Sequence, residues 1–222
     1  MMSILEENGL SVGAYVGIVS GDNVIFSQGY NYMSTTNRSP VTENSLFRIG
    51  SVSKLFTVME MLHLWQRHII DLDVDISLYA PDFQVSKPPT EPSVPLSFRK
   101  IASQISGLAR EVPCAFYATP PICYYNNSEI FKRYRDQPLL FPPDTMPSYS
   151  NMGFALIGNV LGSIEPLKSL PLLHKMKNCE EIAGTETCAF VNGLHVDIFR
   201  PLRMDNTGYA VPYTIVSLPV LK

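Results

Sequence analysis

Short alternating apolar segments mark the beginning of the chain. Residues 13–30, GAYVGIVSGDNVIFSQGY, contain two runs rich in β-branched and aromatic residues on either side of a Gly-Asp-Asn turn. Runs of this kind, joined by a tight polar turn, are typical of a β-hairpin. The sequence therefore predicts two antiparallel strands here, followed by a polar loop over residues 31–44.

The hydrophobic period changes at residue 51. Five apolar residues then recur at intervals of three and four: Leu55, Val58, Met59, Leu62 and Trp65. This spacing predicts an amphipathic helix that runs from Ser51 to about His68.

Prolines and turn residues divide the remainder of the chain. The pattern predicts a short helix over residues 96–105 and a second apolar helix from 153 to about 161, with small residues that allow close packing. Residues 110–143 are rich in aromatic side chains and proline, so we expect a long surface excursion. The periodicity is lost from residue 163 to 196, where no element is predicted, and a helix end is expected over residues 196–204.

Composition and charge narrow the class of protein. The chain has 222 residues, of which 45% are hydrophobic and 17% charged, with a net charge of −3 and a pI near 5.8. These values predict a globular protein of one domain and argue against nucleic acid or an anionic membrane as a partner. No apolar run reaches the ~18–20 residues that a membrane-spanning helix needs. The oligomeric state is not predicted.

Four cysteines form two pairs with equal spacing. Cys114 and Cys123 are nine residues apart, as are Cys179 and Cys188. The pairs are either two short disulfide loops or free thiols. Disulfides, together with two glycosylation sequons at Asn37 and Asn126, would favour the secretory pathway or the exterior of the cell. The N-terminal residues MMSILEENGL, however, lack the basic and then apolar character of a signal peptide.

Ser51 and Lys54 form an S-x-x-K motif where the predicted helix begins. Residues three apart lie on one face of a helix, so the lysine amine lies beside the serine hydroxyl. The helix N-terminus directs backbone N–H groups to the same place. The pair is then a serine nucleophile with its base. The alternative is that Ser51 is only a helix cap and Lys54 a solvated residue.

Several segments together resemble one family. FRIGSVSKLFT, around Ser51, is similar to the active-site motif of serine β-lactamases and penicillin-binding proteins. Ser106-Gly107-Leu108 resembles the end of that superfamily's HTSGL-type motif, and PPDTMPSYSNMG resembles its Y-x-N motif at Tyr149 and Asn151. PLRMDNTG, from residue 201, resembles its PLGMxxTG segment. The chain is similar above all to class C β-lactamases, DD-peptidases, esterases and β-lactamase-like proteins of eukaryotes.

The resemblance implies a fold, a reaction and a set of residues. The fold would be α+β, with an antiparallel sheet flanked by helices. Ser51 would be acylated by an amide, ester or β-lactam, in a small molecule or a peptide, and Lys54 and Tyr149 would transfer protons. Asn151 would bind the substrate or hold Lys54. No metal or other cofactor is expected, since none of the four histidines has the spacing of a second ligand. By themselves, Tyr149 and Asn151 also fit a core-edge ring and a helix cap.

Three departures from the family pattern accompany the resemblance. Gln104 stands where many members have histidine, and Asp144 stands where glycine is usual. The family's third motif, K-T-G or H-x-G, is not found before Lys222. We therefore expect one partial domain over residues 1–222. Residues 1–50 would form the N-terminal strands, 51–162 the helical region with the motifs, and 163–222 an irregular end without the closing strands. The alternative function is an inactive homologue that acts as a binding module or has no stable function.

Overall fold

The computed structural model describes residues 13–33, 38–85, 94–111, 127–171, 179, 184–210 and 217–221. The chain divides into two compact units, one formed by Met1–Arg48 and Val220–Lys222, the other by Ile49–Pro219. Antiparallel strands in the first unit and helices in the second confirm the predicted mixed α+β class.

The first unit contains the predicted hairpin. Strands β1 (Ala14–Ser20) and β2 (Asn23–Tyr30) pair antiparallel, with a register shift between Ile18 and Val19. Gly21, whose φ of +58° lies in the left-handed region of backbone conformation, is in the turn between the two strands. A two-residue strand β3 (Phe47–Arg48) pairs antiparallel with the end of the last strand, through Phe47–Leu221 and Arg48–Val220.

The second unit is mainly helical. A 3₁₀ turn, Gly50–Ser53, leads into α1 (Lys54–Gln66), and short α2 (Phe98–Ala102) is capped by the Ser97 side chain. Four further helical segments follow: α3 (Asn127–Arg135), α4 (Asn151–Ser163), α5 (Glu165–Lys168) and α6 (Thr185–Gly193). A 3₁₀ helix, Ile76–Leu78, lies between α1 and α2, and a π-helical segment, Leu194–Phe199, continues α6. Strand β4 (Gly208–Ala210) belongs to this unit, and β5 (Ser217–Leu221) is divided between the two units.

Helix α1 is confirmed, but its buried face is not the one that the hydrophobic period indicated. The buried residues are Phe56, Thr57, Glu60, Met61 and Leu64. Of the residues that defined the period, Leu55, Leu62 and Trp65 are exposed and the other two are half-buried. Apolar residues occur on several sides of α1, so spacing alone predicted the helix but did not decide which side meets the core.

Two other expectations need correction. The sequence predicts no element over residues 163–196 and an irregular chain from residue 163 onward. In the structure, helices α5 and α6 lie in this region. The surface excursion expected over residues 110–143 includes α3, whose Tyr134 is fully buried and donates a hydrogen bond to the Met152 carbonyl oxygen at 2.5 Å. Residues 112–126 of that region lie outside the described residues.

Helices α4 and α6 approach each other closely. A Cβ atom at Gly162 of α4 would overlap the backbone carbonyl of Glu186 in α6. The absence of a side chain at this position therefore permits the contact. Gly158, a small residue within the predicted second apolar helix, likewise faces Phe190 of α6. The contact between α4 and α6 forms part of the core of the unit.

A carboxylate lies in that core. Glu60 of α1 is fully buried, and neither of its oxygens has a hydrogen-bond partner of normal geometry. Burial raises the pKa of Glu60 from 4.5 to about 8, and the nearby carboxylate of Asp197 acts in the same direction, while Arg67 opposes them. The Nε2 atom of His63 lies 4.0 Å from the Oδ1 atom of Asp197. The protonated form of Glu60 is therefore favoured relative to that of an exposed glutamate.

We predict that Glu60→Gln removes a pH dependence of stability. A carboxyl whose pKa is raised on folding supplies its full contribution below pH 4.5, and the contribution is lost as the pH rises through about 8. Urea unfolding at several pH values should show the Gln variant becoming more stable than the wild type as the pH approaches 8 and beyond. Glu43→Gln, at an exposed glutamate, is the control and should leave the pH profile unchanged. Parallel pH profiles for wild type and Glu60→Gln would contradict the prediction.

Candidate active site

Ser51 lies at the start of the helical segment that carries Lys54. Gly50, immediately before it, has a φ of +52°, a conformation that a residue with a side chain adopts only at a cost. The backbone then enters the 3₁₀ turn and α1. The Lys54 Nζ atom lies 3.2 Å from the Ser51 Oγ atom, so the spacing of three brings the two side chains together as predicted.

Tyr149 and Asn151 come to the same place from the start of α4. The Tyr149 hydroxyl donates a hydrogen bond to Ser51 Oγ at 2.6 Å, and Lys54 Nζ donates to Asn151 Oδ1 at 2.6 Å. Residues almost a hundred positions apart are thus joined in one network. All four residues singled out from the sequence as catalytic or substrate-binding lie in direct contact within the second unit.

The segment before α4 is fixed by hydrogen bonds to residues 104–110. The Ser150 hydroxyl accepts from the Gly153 N–H as a helix cap and donates to the Ala109 carbonyl. The Ser150 N–H donates to the Gln104 side chain at 2.6 Å, and the Asn151 N–H donates to the Arg110 carbonyl. Gln104, one of the departures from the family pattern, therefore positions the residue between Tyr149 and Asn151.

Asp144, a second departure, has a structural explanation. Its φ is +68°, in the region that glycine adopts most readily and that Asp tolerates better than most residues. Its carboxylate forms an ion pair with Lys100 Nζ at 2.7 Å, and its N–H donates to the Ile105 carbonyl. The turn that glycine usually makes is thus made here by an aspartate held to α2.

Two site residues were not found from the sequence. The Asn151 Nδ2 atom donates to Glu111 Oε1 at 2.5 Å, and the Arg110 guanidinium lies 5.0 Å from the centre of the Tyr149 ring. Both residues lie within three positions of the end of the Ser106-Gly107-Leu108 segment. That position was the one available signal, because neither residue has a spacing that links it to Ser51.

Lys54 is surrounded by neutral oxygens and aromatic rings. Besides its contacts with Ser51 and Asn151, its Nζ atom lies 4.8 Å from the centre of the Tyr149 ring and 5.4 Å from that of Phe154. Since Asn151 Oδ1 faces Lys54 and one Nδ2 hydrogen faces Glu111, the orientation of the Asn151 amide is defined. Within the part of the chain that the structure describes, no acceptor faces the second Nδ2 hydrogen.

The electrostatics of the site lower the pKa of Tyr149. Hydrogen bonding to Lys54 is the main cause that lowers the pKa of Tyr149 below its usual value. The hydrogen bond with Ser51 and the positive charges of Lys54 and Arg110 act in the same direction, and burial opposes them. Once it has lost its own proton, a phenolate beside a serine hydroxyl is able to accept that hydroxyl's proton.

The structure describes two of the four cysteines. Cys179 and Cys188 form a disulfide with their Cα atoms 5.7 Å apart, and Cys188 is fully buried in α6. One of the two candidate disulfides is thereby confirmed. Cys114 and Cys123 lie outside the described residues. None of the described helices is long and apolar enough to cross a membrane.

The amino-acid sequence of the chain is similar to those of several known proteins. The sequence model of a family described as Beta-lactamase matches residues 4–176. Beta-lactamase-like protein 4 of Dictyostelium discoideum is 36% identical over 203 residues, which are 86% of this chain and 32% of that protein. Beta-lactamase-like protein str5 of Strobilurus tenacellus is 29% identical over 183 residues, 70% of this chain and 64% of that protein.

Solved structures share the fold. A class C beta lactamase from Rhodobacter sphaeroides aligns with a TM-score of 0.68 and 21% identity, over 95% of this chain and 50% of that one. A beta-lactamase/D-alanine carboxypeptidase from Yersinia pestis, complexed with citrate, aligns with a TM-score of 0.66 and 22% identity, over 96% and 56%. The chain spans about a third of the length of the Dictyostelium discoideum relative.

We predict that Lys54→Met raises the pKa of Tyr149, because the substitution removes both the hydrogen bond and the positive charge that lower it. The measurement is a pH titration of the tyrosine Cζ carbons by NMR, with Tyr149→Phe to assign the signal. Lys100→Met, at a lysine paired with Asp144, is the matched control and should leave the Tyr149 titration in place. An unchanged Tyr149 pKa in Lys54→Met would show that Lys54 does not perturb the phenol in solution.

Proposed function

Because the chain belongs to the Beta-lactamase family and has a β-lactamase/transpeptidase-like fold, we propose that it is a serine hydrolase acting through Ser51. The observation that carries the proposal is the double contact of the Ser51 hydroxyl, 3.2 Å from the Lys54 amine and 2.6 Å from the Tyr149 hydroxyl. A serine hydroxyl is a poor nucleophile until a neighbouring base takes its proton. Two candidate bases lie in contact with Ser51.

Acylation follows from this arrangement. The Ser51 Oγ atom attacks the substrate carbonyl carbon and gives its proton to the Tyr149 phenolate, or to Lys54 when the amine is neutral. A tetrahedral intermediate forms, the bond to the leaving group breaks, and the leaving group takes up the transferred proton. The products are a Ser51 ester and a free alcohol or amine. Water then hydrolyses the ester and restores the Ser51 hydroxyl.

The negative charge that develops on the carbonyl oxygen needs hydrogen-bond donors. The Ser51 N–H lies in the first turn of the helical segment, where backbone N–H groups have no acceptor within the helix. It is the donor that we assign to the oxyanion. The positive end of the same helix adds a favourable field.

Asn151 has a holding role in this mechanism. It accepts from Lys54 and donates to Glu111, so it keeps the ammonium group beside Ser51 and Tyr149. Its second Nδ2 hydrogen would bind an oxygen of the substrate. The substrate class that follows from the family is an ester, an amide or a β-lactam.

Ser51→Ala should abolish covalent labelling by a fluorophosphonate probe and reduce ester hydrolysis by on the order of 10³-fold or more, because no acyl-enzyme forms without the nucleophile. In-gel fluorescence and a p-nitrophenyl acetate assay measure the two effects. Ser103→Ala, at an exposed serine after α2, is the matched control and should label as the wild type does. No labelling of a wild-type chain that unfolds cooperatively would overturn the proposal and leave a binding module as the function.

Tyr149→Phe distinguishes the two candidate bases. If Tyr149 accepts the serine proton, acylation should fall by roughly 10²–10⁴-fold for every substrate. The increase of rate with pH that follows ionisation of Tyr149 should also disappear. If Lys54 is the base and Tyr149 only protonates the leaving group, p-nitrophenyl esters should be spared, since p-nitrophenolate leaves without a proton, and anilides should not. Stopped-flow acylation of an ester and an anilide, each over a range of pH, measures both.

A further inference from the structure

A cleft of about 480 Å³ opens beside Ser51, between helices α1, α4 and α6. Its volume is within the range of small-molecule sites in proteins. Ser51, Lys54 and Asn151 lie at one end. The opposite end is formed by Asn159 and Thr187, whose side chains are joined by a hydrogen bond from Thr187 Oγ1 to Asn159 Oδ1 at 3.3 Å.

The length of the cleft follows from the geometry of α4. Its lining residues on that helix run from Asn151 to Asn159, and eight residues of α-helix rise about 12 Å. Between the two ends the walls are mainly apolar and include Phe154, Ala155 and Phe190, with the polar side chains of Thr57 and Tyr209 beside them. Gly158 lies opposite Phe190, close enough that a Cβ atom would be 3.3 Å from the ring.

The cleft lies on one side of the nucleophile. Among the described residues, Lys54 and Asn151 line it, whereas Tyr149 does not. Tyr149 is exposed and faces Arg110. Because Tyr149 is the residue that we assign to proton transfer with the leaving group, the leaving group belongs on the Tyr149 side. The acyl part of the substrate is then directed toward the cleft.

The charges along the cleft restrict what it binds. Lys54, beside Ser51, is the one charged side chain among its described lining residues. A charged group farther along would lose its hydration without a partner, which is costly. Each methylene buried against the walls, in contrast, favours binding by about fourfold.

We propose that this cleft selects substrates with a neutral aliphatic acyl group of about eight carbons, a chain that fits within the rise of about 12 Å along α4. The proposal rests on the proposed function, since Ser51 must be the residue that is acylated. The acyl chain lies along α4 between Ala155 and the Phe190 ring. The Asn159–Thr187 pair closes the far end and limits the chain length.

The first test is a series of p-nitrophenyl esters from acetate to dodecanoate. For the wild type, kcat/KM should rise by up to about fourfold per methylene to a maximum near eight carbons and then fall. Ala155→Phe adds a ring at an exposed position inside the cleft and should lower the octanoate-to-acetate ratio of kcat/KM by at least about tenfold. Ala155→Leu should lower it less. Leu62→Phe, at an exposed position of α1 outside the cleft, is the control and should leave the ratio unchanged.

The second test measures binding without catalysis. Octanamide should bind the Ser51→Ala chain at least about tenfold more tightly than butanamide by isothermal titration calorimetry, and adding Ala155→Phe should remove the difference. If wild type hydrolyses no ester but octanamide binds in this way, the proposed function fails and the cleft as a binding site stands. If wild type hydrolyses esters without a preference for chain length and octanamide does not bind, the cleft proposal is overturned and the proposed function stands.

Discussion

The site depends on how the start of helix α4 is held against residues 104–110. The Ser150 hydroxyl bonds both the first turn of α4 and the Ala109 carbonyl, and its N–H bonds the Gln104 side chain. Ser150 is buried, so these bonds are protected from water. Tyr149 and Asn151, the residues on either side, are thereby directed to Ser51 and Lys54. A shift at this point would separate Tyr149 from Ser51 and Asn151 from Lys54 at once.

The position of helix α4 is also fixed by its close approach to α6. Helix α4 packs on α6 because Gly162 leaves room for the Glu186 backbone, and α6 is tied to Cys179 by its disulfide. Helices α1, α4 and α6 all contribute buried residues to the core, and the same three helices line the cleft beside Ser51. Core packing and the shape of the site are therefore not independent. Substitutions that alter the approach of α4 to α6 change both.

The buried glutamate and the site lysine show how one helix places two charged residue types in different settings. Lys54 emerges at the start of α1 among oxygens and aromatic rings. Glu60, less than two turns later, is buried in the core beside Asp197, and burial raises its pKa. Neither setting was evident from the helical period. It placed Leu62 and Trp65 on the apolar face, although both are exposed in the structure.

The amino-acid sequence by itself determined the elements with strong local signals and the contact between Ser51 and Lys54. The hairpin, helices α1 and α4 and the Ser51–Lys54 contact follow from alternation, helical spacing and a separation of three residues, which are properties of a few neighbouring residues. The meeting of that pair with Tyr149 and Asn151 was expected only from the resemblance to a family. Tertiary structure alone decided the buried face of α1, the helix at Thr185–Gly193, and the contacts of Glu111, Arg110 and Gln104. These features depend on which surfaces pack together between distant parts of the chain, and the spacing of residues along the sequence does not predict those contacts.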